Sequence, residues 1–388
     1  MKQVNKTSTK FAIISISFML MSAPAINGIL PAIEQQLVLT KSQAEILSTL
    51  PNLFVILAIL FSNLIADRIG MKKTVSLGLL LVGVGGSLPL LFSGYFSLIC
   101  SRLILGAGLG LFNSLAISFI SIFYKGNTRA SLLGYRNAVE SIGQAVLTLF
   151  AGLLLPFGWR ISFAIYVLAF PLIFFFNRYV PETRETSSSV NEKRKRVSKE
   201  KIEPQMSLIF IFAIFLMLSN SAMIIRFPSL AIAIAGENYN ASNALAVMPL
   251  FGILAGVLFG TIQRLLGSKT IYLNLLLLFL VNGLVSFFSD HFVVLVLALF
   301  LSGIPVAWMV SYLFNHIGAI SKTDSSLNVS TSLLVICFNF GGLITPFTMT
   351  LIQIVFRSQA LTAPFPLFAT IYAVLFIALF LRKNQAKR

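Results

Sequence analysis

Between Phe11 and Leu381 the chain is a succession of long apolar runs separated by short polar breaks. A helix that crosses a bilayer needs about 20 mostly apolar residues, because each residue rises about 1.5 Å through a hydrocarbon core roughly 30 Å thick. Twelve runs qualify: 11–33, 43–65, 74–93, 96–123, 130–154, 159–178, 207–230, 243–265, 270–289, 291–316, 326–354 and 362–381. Backbone groups in hydrocarbon must bond within their own segment, so these runs predict an all-α membrane protein with twelve transmembrane helices. Composition agrees. Of the residues, 57% are hydrophobic and 11% charged, against roughly half and a quarter in soluble domains.

The one long polar break, from Arg178 to Met206, contains PETRETSSSVNEKRKRVSKEKIEP. Its Ser and charge runs hold almost no large apolar residues and cannot build a core. This divides the chain into an N-terminal six-helix half over 1–178, a flexible linker over 179–206 and a C-terminal six-helix half over 207–388. With both termini placed in the cytoplasm, cytoplasmic segments hold 23 of the 29 Lys and Arg. External loops then hold only Lys41, Arg160 and Arg357, while Arg102, Arg136 and Arg226 lie inside runs. Excess positive charge on the cytoplasmic side fixes orientation, which predicts a multi-pass protein of the cell membrane with cytoplasmic termini and linker. The net charge of +17 is then a topological signal rather than a nucleic-acid footprint. The KRKR run at 193–196 imitates a nuclear signal, but in this place it suits anionic lipid headgroups.

The first ten residues, the apolar run after them and Ala23-Pro24-Ala25 imitate a secretory signal and its cleavage site. The run continues to Pro31 and eleven more follow, so it is read as the first membrane helix. Cys100 and Cys337 sit far apart in apolar runs, so neither a disulfide framework, a metal site nor a cofactor is expected. The chain carries no Gly-x-x-x-x-Gly-Lys-Ser/Thr loop and no enzyme motif, hence no sign of using ATP directly.

One run breaks the apolar pattern from within. LLGYRNAVESIGQAV, residues 132–146, sets Arg136 and Glu140 four residues apart. Counting from Arg129, Arg136 lies about 10 Å deep and Glu140 about 16 Å deep, near the midplane of a roughly 30 Å core. An ionised group there costs on the order of 3 kcal/mol, and a helical i,i+4 pair recovers only about 0.2–0.5. The pair must therefore face protein or a water-filled cavity. Glu140 is the only acid well inside a run, since Glu34, Glu45, Asp67, Asp290 and Asp324 fall at ends or in loops. A carboxyl group withdrawn from water is a candidate proton carrier; a structural ion pair with Arg136 or Arg102 is the alternative.

Residues 63–73, NLIADRIGMKK, follow the second run. Ala66-Asp67-Arg68-Ile69-Gly70 with Lys72 and Lys73 resembles the signature loop of the major facilitator superfamily, Gly-x-Leu-Ala-Asp-Arg-x-Gly-Arg-Lys/Arg. Asn63 and Met71 depart from that pattern, and the related loop GTIQRLLGSK at 260–269 keeps Arg264, Gly267 and Lys269 but has Gln263 in place of an acid. In CSRLILGAGLGLFNS, residues 100–114, Arg102 precedes Gly106, Gly108 and Gly110, which is similar to a second motif of the superfamily. Gly143 and Gly152 have the spacing of its drug-antiporter motif, although Leu153-Leu154-Leu155-Pro156 replaces the Gly-Pro that follows there. Trp159-Arg160 resembles the family's boundary before the sixth span.

The resemblance implies a major facilitator fold: two pseudo-symmetric six-helix halves around a central cavity, working by alternating access as a monomer. It implies that Asp67, Arg68, Gly70 and Lys72 form a conformational latch on the cytoplasmic side. Arg102, with Arg136 and Glu140, is implied in proton coupling, while snorkelling of Arg102 to the outer surface stays open. The closest branch is that of the drug:proton antiporters, so export of amphipathic small molecules leads. Uptake or exchange of an organic anion stands beside it, because three intramembrane Arg face one Glu, and a non-transporting receptor stands last. Substrate-cavity candidates are Asn27, Asn113, Gln144, Arg226, Trp308, Tyr312 and Asn339. For Arg226, snorkelling outward and facing an anion are equally open, and the aromatic and amide candidates compete with ordinary packing. Gly252, Gly256 and Gly260 repeat every four residues and suggest a helix-packing stripe. The expected partners are a small-molecule substrate, protons and the lipid bilayer.

Overall fold

A computed structural model describes residues 7–124, 126–182, 204–321 and 324–385. Its α-helices are α1 Thr7–Ser15, α2 Leu30–Gln36, α3 Lys41–Ile69, α4 Met71–Leu91, α5 Tyr95–Phe123, α6 Gly126–Leu154, α7 Ala169–Tyr179, α8 Pro204–Ala235, α9 Ala241–Leu266, α10 Thr270–Phe288, α11 Phe292–Ile320, α12 Asp324–Val355 and α13 Pro364–Gln385. Among the described residues, eleven helical stretches are long and apolar enough to cross a membrane, and a bent pair at the amino end is long and apolar enough to count as one more when taken together. Residues 183–203 of the linker, the KRKR run included, lie outside the described residues.

The bent pair corrects the reading of 11–33 as one helix. Thr7–Met19 and Ala23–Gln36 meet at 43°, with 3-10 turns at Ile16–Met19 and Ala23–Ile29 between α1 and α2. Pro24 and Pro31 lack the amide hydrogen that an α-helix uses, and Gly28 weakens the helix further. A second 3-10 stretch, Ile161–Leu168, leads into α7.

The chain divides into two compact units, Met1–Glu200 and Lys201–Arg388. Phe112, Phe119, Phe163 and Phe176 are fully buried in the first, and Phe227, Phe365 and Tyr372 in the second. The same devices recur in both. Gly70 (φ +91°) turns the chain from α3 into α4, and Gly267 (φ +52°) turns it out of α9 before α10; L side chains resist that left-handed region. Gly106 brings α5 against the Pro51 carbonyl of α3, and Gly303 brings α11 against the Met248 carbonyl of α9. Likewise Gly143 of α6 lies on the Phe18 carbonyl of the first span, and Gly341 of α12 on the Ile214 carbonyl of α8. Small residues let membrane helices approach this closely.

The stripe in α9 is different. Gly256 and Gly260 would meet nothing within 4 Å if a Cβ were added, and Gly252 would meet only the Gly303 carbonyl at 3.8 Å. Gly256 and Gly260 lie on the exposed side of α9, so spacing alone misplaced the packing surface. At the end of α4, Arg160 donates from Nε to Pro89 O at 3.2 Å and from Nη2 to Leu90 O at 2.7 Å and Leu91 O at 3.2 Å. A cation on the last carbonyls of a helix suits both their lone pairs and the helix dipole.

Candidate functional site

Arg136 and Glu140 stand one turn apart on α6, hence on one face. Arg136 Nη1 lies 2.9 Å from Glu140 Oε2 and also donates to Asn137 Oδ1 at 2.8 Å. Its Nη2 donates to Asn113 Oδ1 of α5 at 3.0 Å. A hydrogen bond to a charged group contributes about 1.5–3 kcal/mol, more than the helical pair itself, so the amides from α5 and α6 are what make a buried guanidinium tolerable. Arg136 is buried, and its Nε has no hydrogen-bond partner. The Glu140 side chain keeps 15% of its surface. Gln144 follows one turn later and is half-buried. This arrangement can take up a proton on Glu140, dissolve the ion pair and leave a cationic Arg136 still held by Asn113 and Asn137.

Arg102 belongs to a different cluster. It is 0% exposed, so it does not snorkel. Nη1 donates to Tyr166 Oη at 3.0 Å and Nη2 to Ser101 Oγ at 3.3 Å, and the guanidinium lies 5.1 Å from the ring centroids of both Phe163 and Tyr166. Tyr166 in turn donates to Ser22 O at 2.9 Å. Asn27, also buried, accepts from Ser48 Oγ at 2.6 Å, away from the Arg136 cluster's bonds.

In the expected latch, Asp67 and Arg68 are exposed at the end of α3, where a cation suits the helix dipole. Gly70 makes the turn, and Lys72 Nζ donates to Asn177 O at 2.9 Å while Ser76 Oγ donates to Asn177 Oδ1 at 2.7 Å. These bonds tie α4 to the end of α7.

In the second unit, Arg226 is 1% exposed and donates to Gln353 Oε1 at 3.2 Å; it too does not snorkel. Trp308 donates to Ala255 O at 2.7 Å within a packed cluster with Phe259. Tyr312 stacks on His316, 5.7 Å between centroids, and Asn339 donates to Val335 O in its own helix at 2.9 Å. The structure thus joins Asn113 to Arg136 and Glu140, ties Trp308 across to α9 and gives Asn339 a bond within its own helix. Sequence reasoning missed Tyr166 as the partner of Arg102. Glu45 does stand near the start of α3, as expected, yet it is 2% exposed, so Glu140 is not the only acid largely withdrawn from water.

Eleven long apolar helices and a bent pair, with charged side chains buried among them, define a multi-pass membrane protein. Residues 11–317 match the family model of the Major Facilitator Superfamily, and the chain belongs to that superfamily. It is 25% identical over 189 residues to the quinolone resistance protein NorB of Staphylococcus aureus; the match covers 48% of this chain and 41% of the relative. The chain thus spans about two fifths of the length of that curated relative. Among solved structures, the nucleoside transporter NupG superposes with a TM-score of 0.75 at 12% identity, over 96% of this chain and 100% of that one. A bacterial homologue of the human lysosomal transporter Spinster gives 0.74 at 13% identity, over 95% of each chain. A peptide transporter, POT, in complex with sulfate gives 0.71 at 17% identity, over 97% and 94%. Identities this low establish the fold alone.

Proposed function

We propose that the protein is a proton-coupled antiporter that exports amphipathic, drug-like molecules across the cell membrane by alternating access. The observation that carries this reading is the buried Arg136, held at once by Glu140 and by Asn113. When Glu140 is ionised its carboxylate can accept from a ligand as well as from Arg136; when it takes a proton that acceptor is lost to the ligand, while Arg136 stays held by Asn113 and Asn137. Proton and substrate then compete for one cluster, which is the requirement of an exchanger. The partial antiporter motif, with Gly143 on the first span, and the likeness to a quinolone resistance protein support the same direction. In this reading Asp67, Arg68, Gly70 and Lys72 latch the cytoplasmic side, Gln144 lines the substrate path, and the chain works as a monomer with cytoplasmic termini, its halves at 1–178 and 207–388 joined by the linker.

The test is purified protein in liposomes loaded with a pH-sensitive dye. Export coupled to protons is expected to give substrate-dependent proton flux; no flux across a broad panel of drug-like compounds would overturn the coupling. A second reading, exchange of an organic anion, draws on the buried Arg226 beside Gln353. There Arg226→Ala is expected to weaken anion transport selectively, and equal losses for neutral substrates would remove Arg226 from the site.

A further inference from the structure

The two halves repeat one contact with one difference. In the N-terminal half, Tyr166 reaches Ser22 of the first span and its hydroxyl also accepts from Arg102 of α5. In the C-terminal half, Tyr372 of α13 and Ser219 of α8 share a hydrogen bond of 2.5 Å, both side chains buried. The interval along the chain that carries Ser22 onto Ser219, and Gly106 onto Gly303, carries Arg102 onto Leu299. Where one half has a guanidinium with its fork of N–H donors, the other has only a hydrocarbon side chain.

A small cavity lies at this contact in the C-terminal half, lined by Ser219, Asn220, Met223, Asn282, Ser302 and Phe365 among others. The space in it open to the centre of a water molecule is 10 Å³, about room for one water. Its polar walls present lone pairs. Ser302 donates its hydroxyl hydrogen to Leu299 O at 2.6 Å, Asn282 donates from Nδ2 to Leu278 O at 2.8 Å, and Ser219 donates to Leu216 O at 3.0 Å. Asn220 Oδ1 is buried and has no hydrogen-bond partner. Six of the ten lining residues are apolar, but the four polar ones, Ser219, Asn220, Asn282 and Ser302, offer a water the roughly two to four partners that hold it in place.

We propose that this cavity binds one ordered water, which supplies to the C-terminal half the hydrogen-bond donors that Arg102 supplies to the N-terminal half. The water donates to Asn220 Oδ1 of α8 and to the oxygen of either Ser302 of α11 or Asn282 of α10, joining α8 to one of its two neighbours at the cavity. Pro305, one turn beyond Ser302, removes a helical bond from α11, so the water sits beside a gap in that helix's own bonding. An exchangeable water leaves this joint free to rearrange, while the guanidinium fixed to α5 holds its counterpart. This site is independent of the coupling role assigned to Glu140.

Radiolytic labelling of the full-length protein in heavy-oxygen water, read by mass spectrometry, tests the proposal, because radicals formed from a bound water attack the side chains around it. Met223 (3% exposed) and Phe365 (0%) line the cavity, whereas Met309 and Phe227 (both 0%) do not. Met223 is expected to label several-fold faster than Met309, and Phe365 several-fold faster than Phe227. Ser302→Val, which fills the cavity and removes an acceptor, is expected to bring both down to their controls. Equal rates within each pair in the unaltered protein would overturn the proposal, and this comparison stands even if the variant fails to fold. A melting temperature that rises in sodium chloride over choline chloride at equal ionic strength would also overturn it, by making the occupant a cation.

Discussion

Replacing Gly143 by alanine puts one methyl group where α6 passes the first span. Its carbon would lie 2.8 Å from both C and Cα of Phe18, and closer still to the Phe18 carbonyl oxygen. Non-bonded carbons pack at about 3.5–4.0 Å, so the helices must part by roughly an ångström, and the obstructing atoms are backbone rather than the free end of a side chain. Overpacking of this kind costs about 1–3 kcal/mol, set against about 1 kcal/mol that alanine gains over glycine in helix propensity. Gly134 on the same helix is exposed and would meet nothing within 4 Å, so Gly134→Ala has the propensity gain without the clash. The two variants should therefore differ by about 1–3 kcal/mol, or several degrees of melting temperature at roughly 2–4 °C per kcal/mol. Thermal unfolding in detergent, followed by intrinsic fluorescence or a thiol dye, is the assay. Gly341→Ala, which faces the Ile214 carbonyl, should behave like Gly143→Ala, and Gly256→Ala like Gly134→Ala. A Gly143→Ala protein melting at or above Gly134→Ala would refute the close packing of α6 on the first span.

Two further outcomes follow from the buried networks. Tyr166→Phe takes an acceptor from a fully buried guanidinium and a donor from Ser22 O, a loss of about 1–3 kcal/mol, while Tyr372→Phe removes one neutral bond to Ser219 at about 0.5–1.5 kcal/mol. Melting temperatures should fall in that order, and the reverse order would refute Arg102 as a brace. Arg160→Ala uncaps α4 and should lower stability by about 0.3–1 kcal/mol with transport kinetics unchanged; a lost transport rate at normal stability would assign Arg160 a role that capping does not explain.

The membrane-spanning character was legible because hydrocarbon demands long apolar helices, and each run declares itself without reference to its neighbours. The break in the first span was not, because hydropathy scores side chains while Pro24 and Pro31 act through missing amide hydrogens. Arg136 and Glu140 could be paired from spacing, since four residues make one helical turn. Asn113 could not be joined to them, because the register of α5 against α6 is a tertiary fact. The same holds for Arg102, whose two readings are separated only by Tyr166 arriving from a distant segment, and for Glu45, whose burial its place near a run's end conceals. Trp308 and Asn339 looked like cavity lining because polar atoms in an apolar run need partners; Asn339 finds its own at the Val335 carbonyl one turn back, whereas the Ala255 carbonyl that takes the Trp308 bond is set by the register of α9 against α11.

The central claim is that Glu140 carries the proton. Glu140→Gln keeps the shape and one hydrogen-bonding oxygen for Arg136 but cannot exchange a proton. In liposomes with an imposed pH gradient, this variant is expected to lose gradient-driven accumulation of substrate while retaining counterflow, the exchange of labelled for unlabelled substrate at equal pH. Accumulation that survives in Glu140→Gln would contradict the account.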